Sequence, residues 1–252
     1  MAPLLIIASL VALVAVSRQV PTPGEVRASF DAAQKFYAAE DYEQAIDTYE
    51  RINRIESALL YADAITAEVG TIQAPVRDIA LYQTGNSYLK RAEDLQKRAV
   101  RENEKEAAAA LAQEADENFL EAVGYFRRAE AETEVEDLKD LARNRLITCL
   151  YESGRLDETV EEGEVFVESY PNSPFLVNVF YNIGWAHYDT ERYEASIAAF
   201  ERLVSHFPTG YRADRALFQI GEAHFNRGQY LEAVPWYRDV VDRQDIGTMS
   251  QA

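Results

Sequence analysis

Residues 172–202 read NSPFLVNVFYNIGWAHYDTERYEASIAAFER, and residues 209–239 read TGYRADRALFQIGEAHFNRGQYLEAVPWYRD. Laid over each other at a shift of 37, they pair Ile183 with Ile220, Gly184 with Gly221, Ala186 with Ala223 and His187 with His224. The same shift pairs Tyr188 with Phe225, Tyr193 with Tyr230, Ser196 with Ala233, Phe200 with Tyr237 and Pro171 with Pro208. Ala122, Thr159, Ser196 and Ala233 continue that spacing toward the N-terminus. The chain is built of repeats. Each unit has apolar residues at helical spacing on two arms joined by a short polar turn such as Glu191-Arg192 or Arg227-Gly228. A lone helix pair cannot bury its apolar face, so neighbouring pairs must stack into a solenoid. Small residues at Gly184, Gly221, Ser196 and Ala233 let the helices of a pair approach closely, and Phe200 and Tyr237 fill the space beside that contact.

The earlier units are less regular. The first uses Ala33, Tyr42, Ala45 and Tyr49; the second opens with Gly85 and Tyr88 and resumes at Phe119, Ala122 and Phe126. Its two halves lie too far apart. Residues 90–117 between them contain no Gly or Pro, an alanine run at Ala107–Ala110, and Glu93/Lys97 and Asp94/Arg98 at i,i+4 spacing. That pattern predicts an elongation of both helices into a projecting hairpin, with disorder as the alternative. The third unit departs twice: Ile147 stands where glycine is usual, and Gly163 where an aromatic is usual. A volume swap across one contact would explain both.

The order G-x-x-H-[YF]-x-x-x-x-Y-x-x-[SA]-x-x-x-[FY], carried by Gly184 to Phe200 and Gly221 to Tyr237, resembles the tetratricopeptide repeat, whose usual period is about 34 residues. The 37-residue version, with its Tyr-Pro-Asn-Ser-Pro and Phe-Pro-Thr-Gly connectors, is similar to bacterial envelope repeat proteins of the BamD and Tol–Pal-associated periplasmic type. The resemblance spans about Glu25 to Arg243. It implies an all-α, right-handed α-solenoid of about five stacked antiparallel helix pairs. The expected repeats are 25–69, 75–134 (with the hairpin 90–117), 136–171, 173–208 and 210–243, followed by a tail at 244–252.

Before them, 1–17 reads as a signal peptide or N-terminal apolar anchor and 18–24 as a linker. Leu4 to Val16 is an uncharged apolar run, too short to span a bilayer comfortably and suited to the h-region of a secretory signal. Ala15 and Ser17 place small residues for cleavage before Arg18. An uncleaved anchor or a buried helix are the other readings.

The whole chain is 252 residues with a formal charge of −18, which disfavours a general nucleic-acid binder. Its 48% hydrophobic content is ample for a packed core. The single cysteine, Cys149, excludes an internal disulfide and a cysteine metal cluster, and its helical apolar surroundings suggest an inert packed thiol. No phosphate loop, dinucleotide fingerprint, H-E-x-x-H, G-x-S-x-G or EF-hand loop is present. His187 and His224 share one repeat position, so repetition explains their spacing. The expectation is a non-enzyme with no cofactor, no metal and no catalytic residue.

In the resembled family the first helix of each pair lines a concave groove that accepts peptides or partner helices. Counting from the small residue places Phe30, Gln34 and Tyr37 there, then Tyr82, Asn86 and Leu89, then Asn144, Thr148 and Tyr151. The last two repeats add Tyr181, Trp185, Tyr188, Phe218, Glu222 and Phe225. Rings offer apolar area at low entropy cost and amides can satisfy a peptide backbone; the alternative for each ring is packing between repeats. The groove residues singled out are Tyr82, Asn86, Asn144, Tyr151, Tyr181, Trp185, Tyr188, Phe218 and Phe225. The lysine and arginine set that grips a C-terminal carboxylate in chaperone-binding members is missing, with Arg215 the main basic exception. The reading that results is an exported protein-interaction scaffold of the bacterial cell envelope, in the periplasm or on the periplasmic face of a membrane. Its partners are other envelope proteins, membrane contact runs at most through the N-terminal segment or a partner, and the process is outer-membrane assembly or envelope maintenance. The alternative is the repeat region of a longer envelope enzyme or its regulatory subunit.

Overall fold

The computed structural model describes residues 21–55 and 65–249, with side chains to Arg243. The signal or anchor segment 1–17, part of the linker and the last three residues of the tail lie outside the described residues. Ten helices follow one another among those described: α1 Pro23–Ala38, α2 Tyr42–Asn53, α3 Val76–Arg101, α4 Lys105–Glu132, α5 Glu136–Glu152, α6 Leu156–Ser169, α7 Leu176–Asp189, α8 Tyr193–His206, α9 Tyr211–Asn226 and α10 Tyr230–Met249. Consecutive helices pack as antiparallel pairs, and each pair stacks on the next to give an α-solenoid.

Local chemistry sets the ends. Pro23 occupies the first turn of α1, and Thr22 and Glu25 form a reciprocal capping box at its start. Four of the pairs turn over through a residue with left-handed φ at one repeat position: Glu40 (61°), Gly154 (72°), Glu191 (59°) and Gly228 (74°). Each turn is closed by the same backbone bond, Asp41 to Phe36, Arg155 to Leu150, Arg192 to His187 and Gln229 to His224. These are Schellman-type closures, and the geometry rather than the residue type is what repeats.

The pairs are held close by rings that occupy the space of an absent Cβ. A Cβ on Gly184 would lie 2.6 Å from Phe200, one on Gly221 2.6 Å from Tyr237, and one on Gly85 2.9 Å from Phe126. Ser196 adds a hydroxyl bond to the Gly184 carbonyl at 2.9 Å. The third pair behaves differently from expectation. A Cβ on Gly163 would meet Ile183 at 2.7 Å and then Val179, both on α7. The expected exchange of volume between Ile147 and Gly163 is therefore corrected: the missing side chain of α6 admits an isoleucine from the following repeat.

One feature separates the structure from the sequence reading, and another agrees with it. A two-stranded antiparallel hairpin, β1 Thr66–Val69 and β2 Ile72–Pro75, lies between α2 and α3, with Val69 opposite Ile72 across Gly70 and Thr71. Ala67 and Ala74 face inward, and Arg27 donates to the Thr66 carbonyl at 2.8 Å, fastening the hairpin to α1. The elongation expected for the second unit is present: α3 and α4 run 26 and 28 residues and continue through 90–101 and 105–117 as a helical hairpin. Leu95 and Ala115 are buried along its seam, and Arg91 bridges to Glu114 at 2.9 Å. Glu93 pairs with Lys90 at 2.7 Å, not with Lys97 as the i,i+4 spacing suggested, while Asp94 and Arg98 stand 4.0 Å apart. Gln96 donates to the carbonyl of Glu152 at 3.3 Å, tying the elongated α3 to the end of α5.

Gly184→Ala should destabilise the fold by about 1–3 kcal/mol, because a ring has to move. Gly163→Ala should cost a similar amount through Ile183. Gly124→Ala, whose added Cβ meets nothing within 4 Å, should gain roughly 0.5–1 kcal/mol from helix propensity. Urea unfolding followed by circular dichroism separates the three.

Candidate binding face

The positions counted onto the groove fall on one row of first helices, and neighbouring helices are laced along it. The Tyr151 hydroxyl of α5 donates to the Asp189 carboxylate at the end of α7 at 2.9 Å. One repeat on, the Asn226 amide of α9 donates to the Tyr188 hydroxyl at 2.7 Å. Asn182 reaches Thr148 at 3.3 Å in the same sense. Burial, followed by the Asp189 carboxylate, raises the pKa of the Tyr151 phenol, so it stays a neutral donor at physiological pH.

The row is mostly buried in the early repeats, where Gln34 and Tyr37 stay partly exposed, and more open in the last two. Phe30, Tyr82 and Leu89 are buried, as are Asn86 and Asn144. Tyr82 packs on Phe126 with ring centres 5.5 Å apart, and Arg145 donates to its hydroxyl at 3.4 Å. Asn86 spends its amide on Gln83 at 3.1 Å. Tyr82, Asn86 and Asn144 were expected on the groove wall, and that placement is corrected: all three are buried, Tyr82 against Phe126 of α4 and Arg145 of α5. Tyr151 is half-buried.

Tyr181, Trp185 and Tyr188 remain partly exposed on α7 and pack edge-on in sequence, at 6.2 and 5.5 Å between ring centres. Phe200 of α8 supports both Tyr181 and Trp185 from beneath, at 6.0 and 6.3 Å. Arg212 lies 4.6 Å over the Tyr181 ring. On α9, Phe218 and Phe225 are 43% and 51% exposed, backed by Tyr237 and Tyr230. The five rings form an apolar surface bordered by Arg212, Arg215 and Glu222, which can hold apolar side chains and an amide backbone.

Residues 181–247 match the tetratricopeptide-repeat family. No curated protein is similar enough in sequence to count as a match. Among solved structures, the chain superposes on the MamA protein at a TM-score of 0.59 and 14% identity, covering 90% of this chain and 96% of that one. MamA 41-end from Desulfovibrio magneticus RS-1 gives 0.58 at 15% identity, over 90% and 97% of the two chains. A Podosopora anserina putative kinesin light chain with nearly identical TPR-like repeats gives 0.53 at 14%, over 90% and 98%. At these identities the likeness speaks for the solenoid fold.

Other chemistry is sparse. Among the described residues no group of three His, Cys, Asp or Glu stands together as a metal would need, and no helix is long and apolar enough to cross a membrane. Cys149 is fully buried, and burial pushes its thiol well above the usual range, which keeps it protonated and unreactive. Sequence reasoning missed a second aromatic cluster. Tyr88 and Tyr125 stack at 5.6 Å and both donate to Glu50, at 3.2 and 2.8 Å, which joins α2, α3 and α4. Burial and the Glu50 charge push the Tyr88 phenol up to about 12.

His187 has a buried Nδ1 without a hydrogen-bond partner, whereas His224 meets Gln229 at 2.9 Å. Burial, then the Arg192 charge, lowers the pKa of His187 from 6.5. The unfolded chain therefore takes up a proton that the folded chain refuses, so stability falls as pH drops through 6.5 toward the lower folded value. Asp78, Asp140 and Glu152, whose carboxyls burial raises, pull in the opposite direction. The difference between wild type and His187→Gln across this range isolates the imidazole, and the variant should show the shallower loss on acidification. In a separate stability test, Tyr82→Ala should cost about 3–5 kcal/mol and Phe225→Ala no more than about 0.5 kcal/mol, read from urea midpoints.

Proposed function

We propose that the chain is a non-enzymatic protein-interaction scaffold that holds an extended peptide or a partner helix against the face formed by α7 and α9. The observation that carries this reading is the run of partly exposed rings, Tyr181, Trp185, Tyr188, Phe218 and Phe225, fixed in place by Phe200, Tyr237 and the links between first helices. A rigid aromatic surface of this kind loses little entropy on binding. The tetratricopeptide-repeat match over 181–247 supports the same class of role.

The finer reading is an exported protein of the bacterial cell envelope, serving outer-membrane assembly or envelope maintenance. It is supported by the uncharged apolar run Leu4–Val16, by the single cysteine, and by the 37-residue period with its Pro-containing connectors. Partners would then be other envelope proteins.

The test is capture of partners from envelope extracts by the tagged full chain, followed by affinity measurement with the protein recovered. Phe218→Ala with Phe225→Ala, both at exposed positions, should weaken the complex at least about tenfold without changing helicity. Trp185→Ala with Tyr188→Ala should do the same. A folded double variant that captures its partner as well as the wild type would overturn the assignment of this face.

A further inference from the structure

The elongated part of α3 and α4 differs in charge from the rest of the chain. These helices have 26 and 28 residues where the others have 12 to 20. Residues 90–117 hold six basic and eight acidic side chains, near balance, against 25 and 43 in the whole chain. The two arms are opposite in sign: 90–101 carries five basic side chains against two acidic, and 105–117 carries one against four. The helix dipole accounts for Arg101 in the last turn of α3 and Glu106 in the first turn of α4. It does not reach Lys97, Asp116 or Glu117.

Between the charges lies an apolar surface. Val100 is 86% exposed, more than any other large apolar side chain among the described residues. With Gln96, Ala99 and, from α4, Ala112 it lines a groove of about 600 Å³ that has Lys97 and Arg101 on its wall. On α4, residues 107–112 are alanine and leucine alone, so every side of the helix is apolar there. Packing on α3 uses one side, and Ala109, Ala110 and Ala112 stay exposed. A helix apolar all round is normally buried. Helix propensity explains the alanines but not Val100, since valine is among the weaker helix formers.

We propose that two copies of the chain join through these hairpins, the α3 arm of each lying against the α4 arm of the other about a two-fold axis. The hairpin supplies both halves of the contact. Val100 of one copy seats on Ala109 and Ala112 of its partner, and Lys97 and Arg101 beside it meet the partner's Glu106 and Asp116, which bracket those alanines in sequence. The surplus negative charge lies almost wholly outside residues 90–117. Repulsion between the two bodies therefore selects opposed hairpins, with a body at each end, over hairpins that lie side by side. The contact is isologous, so it closes at two chains. The face of α7 and α9 takes no part in it, and the dimer carries that face twice, which raises avidity for a partner with two segments.

Sedimentation velocity of the full chain over a concentration series tests this. The mean mass should rise from one chain toward two and stop there. Lys97→Glu with Arg101→Glu sets acid against acid, and Glu106→Lys with Asp116→Lys sets base against base. Each variant alone should lose self-association by about tenfold or more in dissociation constant. An equimolar mixture of the two should recover it, because both arm contacts of a mixed pair again join opposite charges. Val100→Glu should weaken association as well. All five positions are exposed, and far-UV circular dichroism checks that each variant is folded. A wild type that stays monomeric throughout, or that grows beyond two chains, overturns the proposal. So does a charge-reversed variant that associates as well as the wild type, or a mixture that fails to recover.

Discussion

An aromatic ring lying where a side chain is missing sets the separation of the helices, and the rest of the solenoid follows from that separation. Phe126, Phe200 and Tyr237 each occupy the place of a Cβ on the partner helix. Dispersion contacts weaken steeply with gaps of half an ångström, so the pair has one well-packed distance and little freedom to slide. Where α6 offers Gly163 in place of a ring, the same device operates between repeats, with Ile183 entering from α7. Pairing and stacking are thus one kind of contact used in two directions, and the change at the third repeat fixes the fourth against it.

That packing decides where a ligand can reach. The elongated α3 continues past the end of α5, to which Gln96 binds it, and α4 supplies Phe126 against Tyr82. The first-helix row is covered there. From α7 onward no elongated helix lies alongside, and the rings at the same repeat positions stay accessible. Tyr82 and Tyr181 occupy one repeat position. Each packs on the ring of its partner helix, Phe126 or Phe200, but Tyr82 is also held by Arg145 and is core, whereas Tyr181 lies beneath Arg212 and stays partly exposed. Repeat position chooses the face of the helix, and the neighbour decides whether that face is open.

The same distinction explains what could be read from the residues alone. The two C-terminal repeats were legible because the 37-residue shift preserves residue type at the contacts that set helix separation. The helix-pair architecture followed from it. The left-handed turn position was legible by spacing but not by residue, since glutamate stands there at 40 and 191 and glycine at 154 and 228. The β-hairpin was missed because its inward residues are Ala67 and Ala74, too small to mark an alternating strand, leaving Gly70-Thr71 as the main signal. The Gly163 contact was assigned within a pair because a periodic pattern records which residues are apolar and small, not which neighbour fills them. For the same reason Tyr82, Asn86 and Asn144 were placed on a groove wall although the folded chain buries them.

The charge distribution completes the argument. Arginines are fewer than carboxylates, and several of them join successive repeats: Arg192 meets Asp157 at 2.8 Å, Arg202 meets Glu164 at 2.7 Å, Arg227 reaches Glu194, and Arg143 bridges Glu130 and Glu162. The exposed pairs among them add little stability individually, so stacking rests mainly on apolar burial while the arginines bias its register. The aromatic face of α7 and α9 carries both signs at its border, Arg212 and Arg215 with Asp214 and Glu222. The chain's charge of −18 sets a negative field around that face. For a partner of the kind proposed, basic flanking residues would set the rate of arrival and aromatic contact the residence time.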